Sequence, residues 1–97
     1  MEFLVRIEVH WPNGGDPEEL DRLVAAERVR ARELAAEGRL RRMWRIPGRW
    51  ANWGIWEASD ATELHVAIAS LPMFQWLSVE IHPLAAHPSD PARPGAA

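Results

Sequence analysis

Apolar and polar residues alternate strictly at the start of the chain. Phe3, Val5, Ile7, Val9 and Trp11 interleave with Glu2, Leu4, Arg6, Glu8 and His10. A period of two predicts a β-strand with one buried face. Pro12-Asn13-Gly14-Gly15 ends it. The period then lengthens: Leu20, Leu23, Val24, Ala31, Leu34 and Ala35 recur at helical spacing, which predicts a helix over residues 17 to about 37. Asp16 fits its N-cap and Pro17 its first position. Glu18 and Glu19 suit the positive end of the helix, and Gly38 is the C-terminal stop. At 1.5 Å per residue such a helix is roughly 30 Å long and spans a small domain.

Alternation returns in the stretch 40–57. Pro47-Gly48 is a strong turn signal, so this stretch reads as two strands around a turn. On the first strand Arg42, Trp44 and Ile46 share one face, and Arg41, Met43 and Arg45 share the other. On the second, Trp53 and Ile55 alternate with Asn52, Gly54 and Trp56. Ser59 or Asp60 caps a second helix that buries Leu64, Ala67, Ile68 and Leu71. Leu71-Pro72-Met73-Phe74 reads as a connector with exposed apolar groups. Leu77, Val79 and Ile81 alternate with Ser78, Glu80 and His82 in a last strand.

The order strand, helix, strand, strand, helix, strand predicts an α+β, ferredoxin-like βαββαβ domain: an antiparallel sheet with two helices on one face. That domain covers residues 1–84. Residues 85–97, with Pro88, Pro91 and Pro94, form a Pro-rich C-terminal tail, ordered only where a neighbouring surface holds it. Strands rich in Trp, Met and Ile on both faces would expose apolar area. Oligomerisation through the open face or the edges is therefore expected.

Charge and composition narrow the function classes. A net charge of -3 argues against nucleic acid as a partner. There is no cysteine, hence no disulfide framework and no thiol nucleophile. The first residues lack the pattern of a signal peptide, and no apolar run approaches the roughly 20 residues of a membrane span; a soluble, cytoplasmic protein is expected. His10, His65, His82 and His87 have no metal-ligand spacing, and neither a phosphate loop nor a nucleophile elbow is present. Acid–base chemistry by carboxylates, histidines and arginines, with no metal and no cofactor, is what remains.

Two features carry that chemistry. Four of the six tryptophans and four arginines fall within 40–57. Aromatic walls and guanidinium forks suit a pocket for a small carboxylate; core tryptophans and a solvated arginine face are the plainer alternative. The second feature is Glu27, which at 100° per residue falls in the middle of the apolar stripe of the long helix. A carboxylate facing the packed side must be paired or protonated more easily than in water. It is either a structural ion pair with a hairpin arginine or a base with a raised pKa at the edge of a cavity.

In order and spacing, several blocks resemble the muconolactone Δ-isomerase family: Glu27, Glu37-Gly38, Trp44-Arg45-Ile46-x-Gly48-x-x-Ala51-Asn52, Leu71-Pro72-x-Phe74 and His87-Pro88-Ser89. The resemblance runs from Met1 to about Ser89. It implies a ferredoxin-like fold, no cofactor and a ring-like homo-oligomer, a decamer. The implied reaction moves the double bond of a lactone carboxylate by proton abstraction and return. On this resemblance Glu27 is the expected base, with Glu37 and His65 as rivals. Asn52 and Arg45 would meet the developing oxyanion, and Arg42 or Arg45 would hold the carboxylate arm. Trp44, Trp53 and Phe74 would exclude water, and His87 of the tail would enter a neighbour's pocket. The chain departs from the family with tryptophan at 50 and 53, where tyrosine is common, and at 56, where phenylalanine is. Specificity is therefore open: a chloromuconolactone dehalogenase, an isomerase of another butenolide and a non-catalytic small-molecule-binding module all remain as alternatives.

Overall fold

The computed structural model describes residues 1–92. Strand β1 (Glu2–Val9) is followed by helix α1 (Pro17–Ala36), strands β2 (Leu40–Arg45) and β3 (Ala51–Glu57), and helix α2 (Ala61–Ala69). A short 3₁₀ turn (Phe74–Trp76) leads into strand β4 (Leu77–Leu84). The sheet order is β2-β3-β1-β4, with every neighbouring pair antiparallel. This is the ferredoxin-like α+β arrangement expected from the element order.

The local signals act as their chemistry requires. The Asp16 carboxylate accepts the Glu18 N–H at 3.0 Å, and Pro17 opens α1 where its missing N–H costs nothing. Gly38 takes φ +79 just past the helix, and its N–H reaches the Ala35 carbonyl at 3.0 Å. Asp60, rather than Ser59, caps α2 by accepting the Glu63 N–H at 2.8 Å. β4 continues through Pro83, which an edge strand tolerates because its outer side needs no ladder bond.

Alternation along β1 decides which face of the sheet is covered. Phe3, Val5 and Ile7 are buried and pack with Trp56 of β3, Leu34 of α1, and Leu64, Ala67 and Ile68 of α2. Through the pairings Phe3↔Trp56, Val5↔Gly54 and Ile7↔Asn52, the row Asn52, Gly54, Trp56 shares the helix-covered face. Met43 and Arg45 join it by pairing with Gly54 and Asn52. A register shift between Leu40 and Arg42 leaves Arg41 as the extra residue. The bulge lets Leu40, paired with Trp56, face the core without moving Arg42 and Trp44 off the open face.

One expectation is corrected here. The connector after α2 is not exposed: Leu71 and Met73 are buried, because the chain folds back beneath α1 before entering β4. The open face carries Leu4, Trp53 and Ile55 with Arg6, Arg42, Glu80 and His82. Among the described residues, no helix is long and apolar enough to cross a membrane.

Leu34 is the one α1 residue that is fully buried; Leu20, Leu23, Val24 and Ala31 are only half-covered, and Ala35, expected in the stripe, is exposed. The seating of α1 on the sheet therefore depends on Leu34. Leu34→Ala should lower unfolding free energy by about 2–5 kcal/mol, read from the urea midpoint. A change below about 1 kcal/mol would place the anchor elsewhere.

Candidate active site

The incomplete cover of α1 leaves a cleft of about 340 Å³ between this helix and the sheet. That size suits a small organic ligand. Val24, Glu27, Arg28 and Ala31 reach it from successive turns of α1, the i, i+3 and i+4 spacing that stacks side chains on one face. The sheet contributes Ile7, Met43, Arg45, Asn52 and Trp56, and the connector adds Leu71 and Met73.

Glu27 is the polar centre of this mostly apolar wall. Its Oε1 accepts the backbone N–H of Met73 at 3.1 Å. No ion pair to Glu27 exists among the described residues, so the alternative of a pair with a hairpin arginine is not realised. Burial pushes its carboxyl above the ordinary value, and the Met73 hydrogen bond pulls in the opposite direction without cancelling it. Glu8 shows the reverse: hydrogen bonds from Arg6 and Arg49 hold its carboxyl below the ordinary value. The surroundings therefore push the two carboxyls in opposite directions, Glu27 up and Glu8 down.

Around Glu27 lie groups with unused bonding capacity. Arg28 and Arg45 both border the cleft, and neither forms an ion pair among the described residues. Asn52 Oδ1 and Trp56 Nε1 are buried without hydrogen-bond partners among the described residues. The arrangement offers a base, two cations and two neutral polar groups around one small apolar space.

The expected site residues divide between this cleft and other places. Glu27, Asn52 and Arg45 line it together. Trp44 stands at its rim, although its ring lies on the open face, 4.6 Å from the Arg42 guanidinium stacked on it. Arg42 and Trp53 are on that open face, with the Trp53 ring 6.4 Å from His82. His65 and Phe74 meet edge-on at 6.0 Å in a separate groove between α2 and β4. Glu37 is at the end of α1, with its carboxylate 3.6 Å from Arg30. His87 sits in an exposed turn, where its Nδ1 accepts the Ser89 N–H at 2.9 Å. Arg93, also in the tail, lies outside the described residues.

Sequence reasoning did not single out Arg28 or Met73. Arg28 follows Glu27 and flanks the same stripe, a signal that was present. The Met73 N–H is a backbone group placed by the buried connector, and no side-chain pattern announces it.

Residues 1–90 match the profile of the family described as Muconolactone delta-isomerase. The chain belongs to the muconolactone delta-isomerase family. A relative named Muconolactone Delta-isomerase from Rhodococcus opacus is 38% identical over 88 residues, covering 91% of this chain and 95% of its own. Another of that name, from Pseudomonas aeruginosa, is 37% identical over 92% of this chain and 93% of its own. A crystal structure of muconolactone isomerase superposes with a TM-score of 0.88 at 33% identity, covering 96% of this chain and 97% of that one. The βαββαβ frame is thus that of a muconolactone delta-isomerase family member.

Because burial raises the Glu27 pKa in the folded state, that state holds the proton more tightly than the unfolded chain does. The Glu27 contribution to stability is therefore greatest in acid and falls as pH rises from the ordinary carboxylate value through the raised one. Glu27→Gln keeps an acceptor for the Met73 N–H and removes the charge. At neutral pH the variant should melt at or above the wild-type temperature, with the difference vanishing in acid. A lower melting temperature at neutral pH would mean that the charge is paired after all.

Proposed function

We propose that this chain isomerises muconolactone to 3-oxoadipate enol-lactone without a cofactor, a step in the degradation of aromatic compounds through catechol. Family membership supports the reaction class. The observation that carries the reading is the half-buried Glu27 carboxylate, unpaired by any cation among the described residues yet sharing its cleft with two free arginines.

The substrate is a five-membered unsaturated lactone with a carboxymethyl arm. Glu27 takes the proton from C4, and the ring electrons shift to give a dienolate with its charge on the lactone carbonyl oxygen. The protonated Glu27 then returns a proton to C2, leaving the double bond between C3 and C4. A positioned carboxylate contributes about 10²–10⁴-fold to such a transfer. Arg45 and Arg28 hold the carboxylate arm, where the guanidinium fork matches two oxygens at once. Asn52 supplies a hydrogen bond to the developing oxyanion.

The cleft mouth supports an oligomeric enzyme. Met43, Trp44 and Trp50 stand at it with their side chains substantially exposed. We propose a homo-oligomer, decameric as the resemblance implies, in which a neighbouring chain covers this mouth. Residues 85–97 act as a tail against that neighbour, with His87 at its surface.

Incubation with muconolactone in deuterated water, followed by proton NMR, tests the reading. The wild-type protein should convert the lactone. Glu27→Gln should assemble normally and lose on the order of 10²-fold or more in kcat. Arg45→Lys keeps the charge but loses the fork, and should weaken kcat/KM by about 1–3 kcal/mol. Absence of conversion by the wild type would overturn the activity. Near-normal turnover by Glu27→Gln would overturn the base assignment.

A further inference from the structure

Trp56, which borders the cleft, carries a donor that the proposed mechanism has not used. Asn52, Gly54 and Trp56 stand in one row on the helix-covered face of β3. Gly54 has no side chain, and the indole of Trp56 lies back over it. A Cβ at Gly54 would meet Trp56 Nε1 at 3.0 Å and the Arg42 carbonyl oxygen at 3.3 Å. The glycine is thus what allows the N–H edge of the ring to occupy this place. Trp56 is 2% exposed, and its Nε1–H has no acceptor among the described residues.

An indole nitrogen can only donate. A buried donor without an acceptor is costly, and such groups in native proteins are uncommon enough to need a reason. The next residue in the row, Asn52, also has a buried amide atom without a partner. Rotation of that amide about its last torsion exchanges oxygen for NH₂, so Asn52 can present either one. Both residues border the same cleft as Glu27.

We infer that the Trp56 indole N–H, beside the Asn52 amide, hydrogen-bonds the lactone carbonyl oxygen and stabilises the dienolate. The inference rests on the isomerase reading. Arg28 and Arg45 are the better partners for the full charge of the carboxylate arm, which leaves the neutral donor for the carbonyl. In this water-poor position a fixed donor gains strength as charge develops on the oxygen and needs no reorganisation. The indole keeps its proton throughout, and all proton movement stays with Glu27. Trp56 is then a catalytic residue, and Gly54 is its positioning residue.

The test uses protein labelled with ¹⁵N at tryptophan and a saturated analogue of the substrate: the five-membered lactone with its carboxymethyl arm and no ring double bond. This analogue can bind but cannot isomerise. The indole N–H resonance that disappears in Trp56→Phe should move downfield as the analogue saturates the wild-type protein. Trp56→Phe should lower kcat/KM for muconolactone roughly tenfold or more, mostly in kcat. Should the phenylalanine variant fold poorly, Trp56 replaced by benzothienylalanine keeps the ring shape and exchanges N–H for sulfur; the same loss is expected. Analogue binding with an unmoved Trp56 resonance and normal turnover of the sulfur variant would overturn the inference while leaving the isomerase reading intact. A lower melting temperature with unchanged kinetics would make the N–H a core group and overturn it equally. Neither binding nor turnover in the wild type would overturn the isomerase reading first, and the donor role with it.

Discussion

The incomplete burial of one carboxylate is the constraint on which the rest of the structure turns. Glu27 lies in the middle of the stripe that α1 presents to the sheet, where a leucine would have closed the core. A charge cannot be packed there without a partner, so α1 is fully seated only at Leu34 and stands off the sheet around Glu27. The gap is the cleft. The connector after α2 supplies a hydrogen bond that orients the carboxylate, through the Met73 N–H. Orientation by a neutral amide leaves the pKa raised by burial; an arginine in the same place would have lowered it and weakened the base.

The hairpin completes the site by sorting its residues between two faces. The bulge at Arg41 turns Leu40 into the core and keeps Arg42 and Trp44 on the open side. Met43 and Arg45 then face α1, level with Gly54 and Asn52. Charge and aromatic bulk on the open face serve contacts there, such as the Arg42–Trp44 stack. Those on the helix face border the cleft. A single strand pair therefore lines the cleft with one face and the open side of the sheet with the other.

Much of this was legible in the sequence because its signals are local. Periods of two and 3.6 gave the elements, and Asp16, Gly38 and the pair Ser59-Asp60 marked helix ends by capping chemistry that needs no tertiary context. The angle of Glu27 on α1 was enough to identify an anomaly. What could not be read depends on contacts far apart in the chain. Alternation separated Arg42 from Arg45 but could not say which face the helices cover; that follows from Phe3 pairing with Trp56. Alternation likewise placed Trp53 and Trp56 on opposite faces, and only the packing shows that Trp56 is the one at the cleft. The connector carries no periodic signal, so the burial of Leu71 and Met73 was invisible. His65 and Phe74 belong together, but in a groove of their own.

Burial, with no cation among the described residues to oppose it, holds the Glu27 carboxyl above its ordinary value, and the proposed role as base depends on that shift. A ¹³C NMR titration of its carboxyl carbon, assigned by its loss in Glu27→Gln, measures this directly beside the pH dependence of kcat/KM. The account predicts a midpoint above the ordinary glutamate value and a rise of kcat/KM with deprotonation at that same midpoint. A midpoint at or below the ordinary value, or an activity limb that does not coincide with it, would contradict the account.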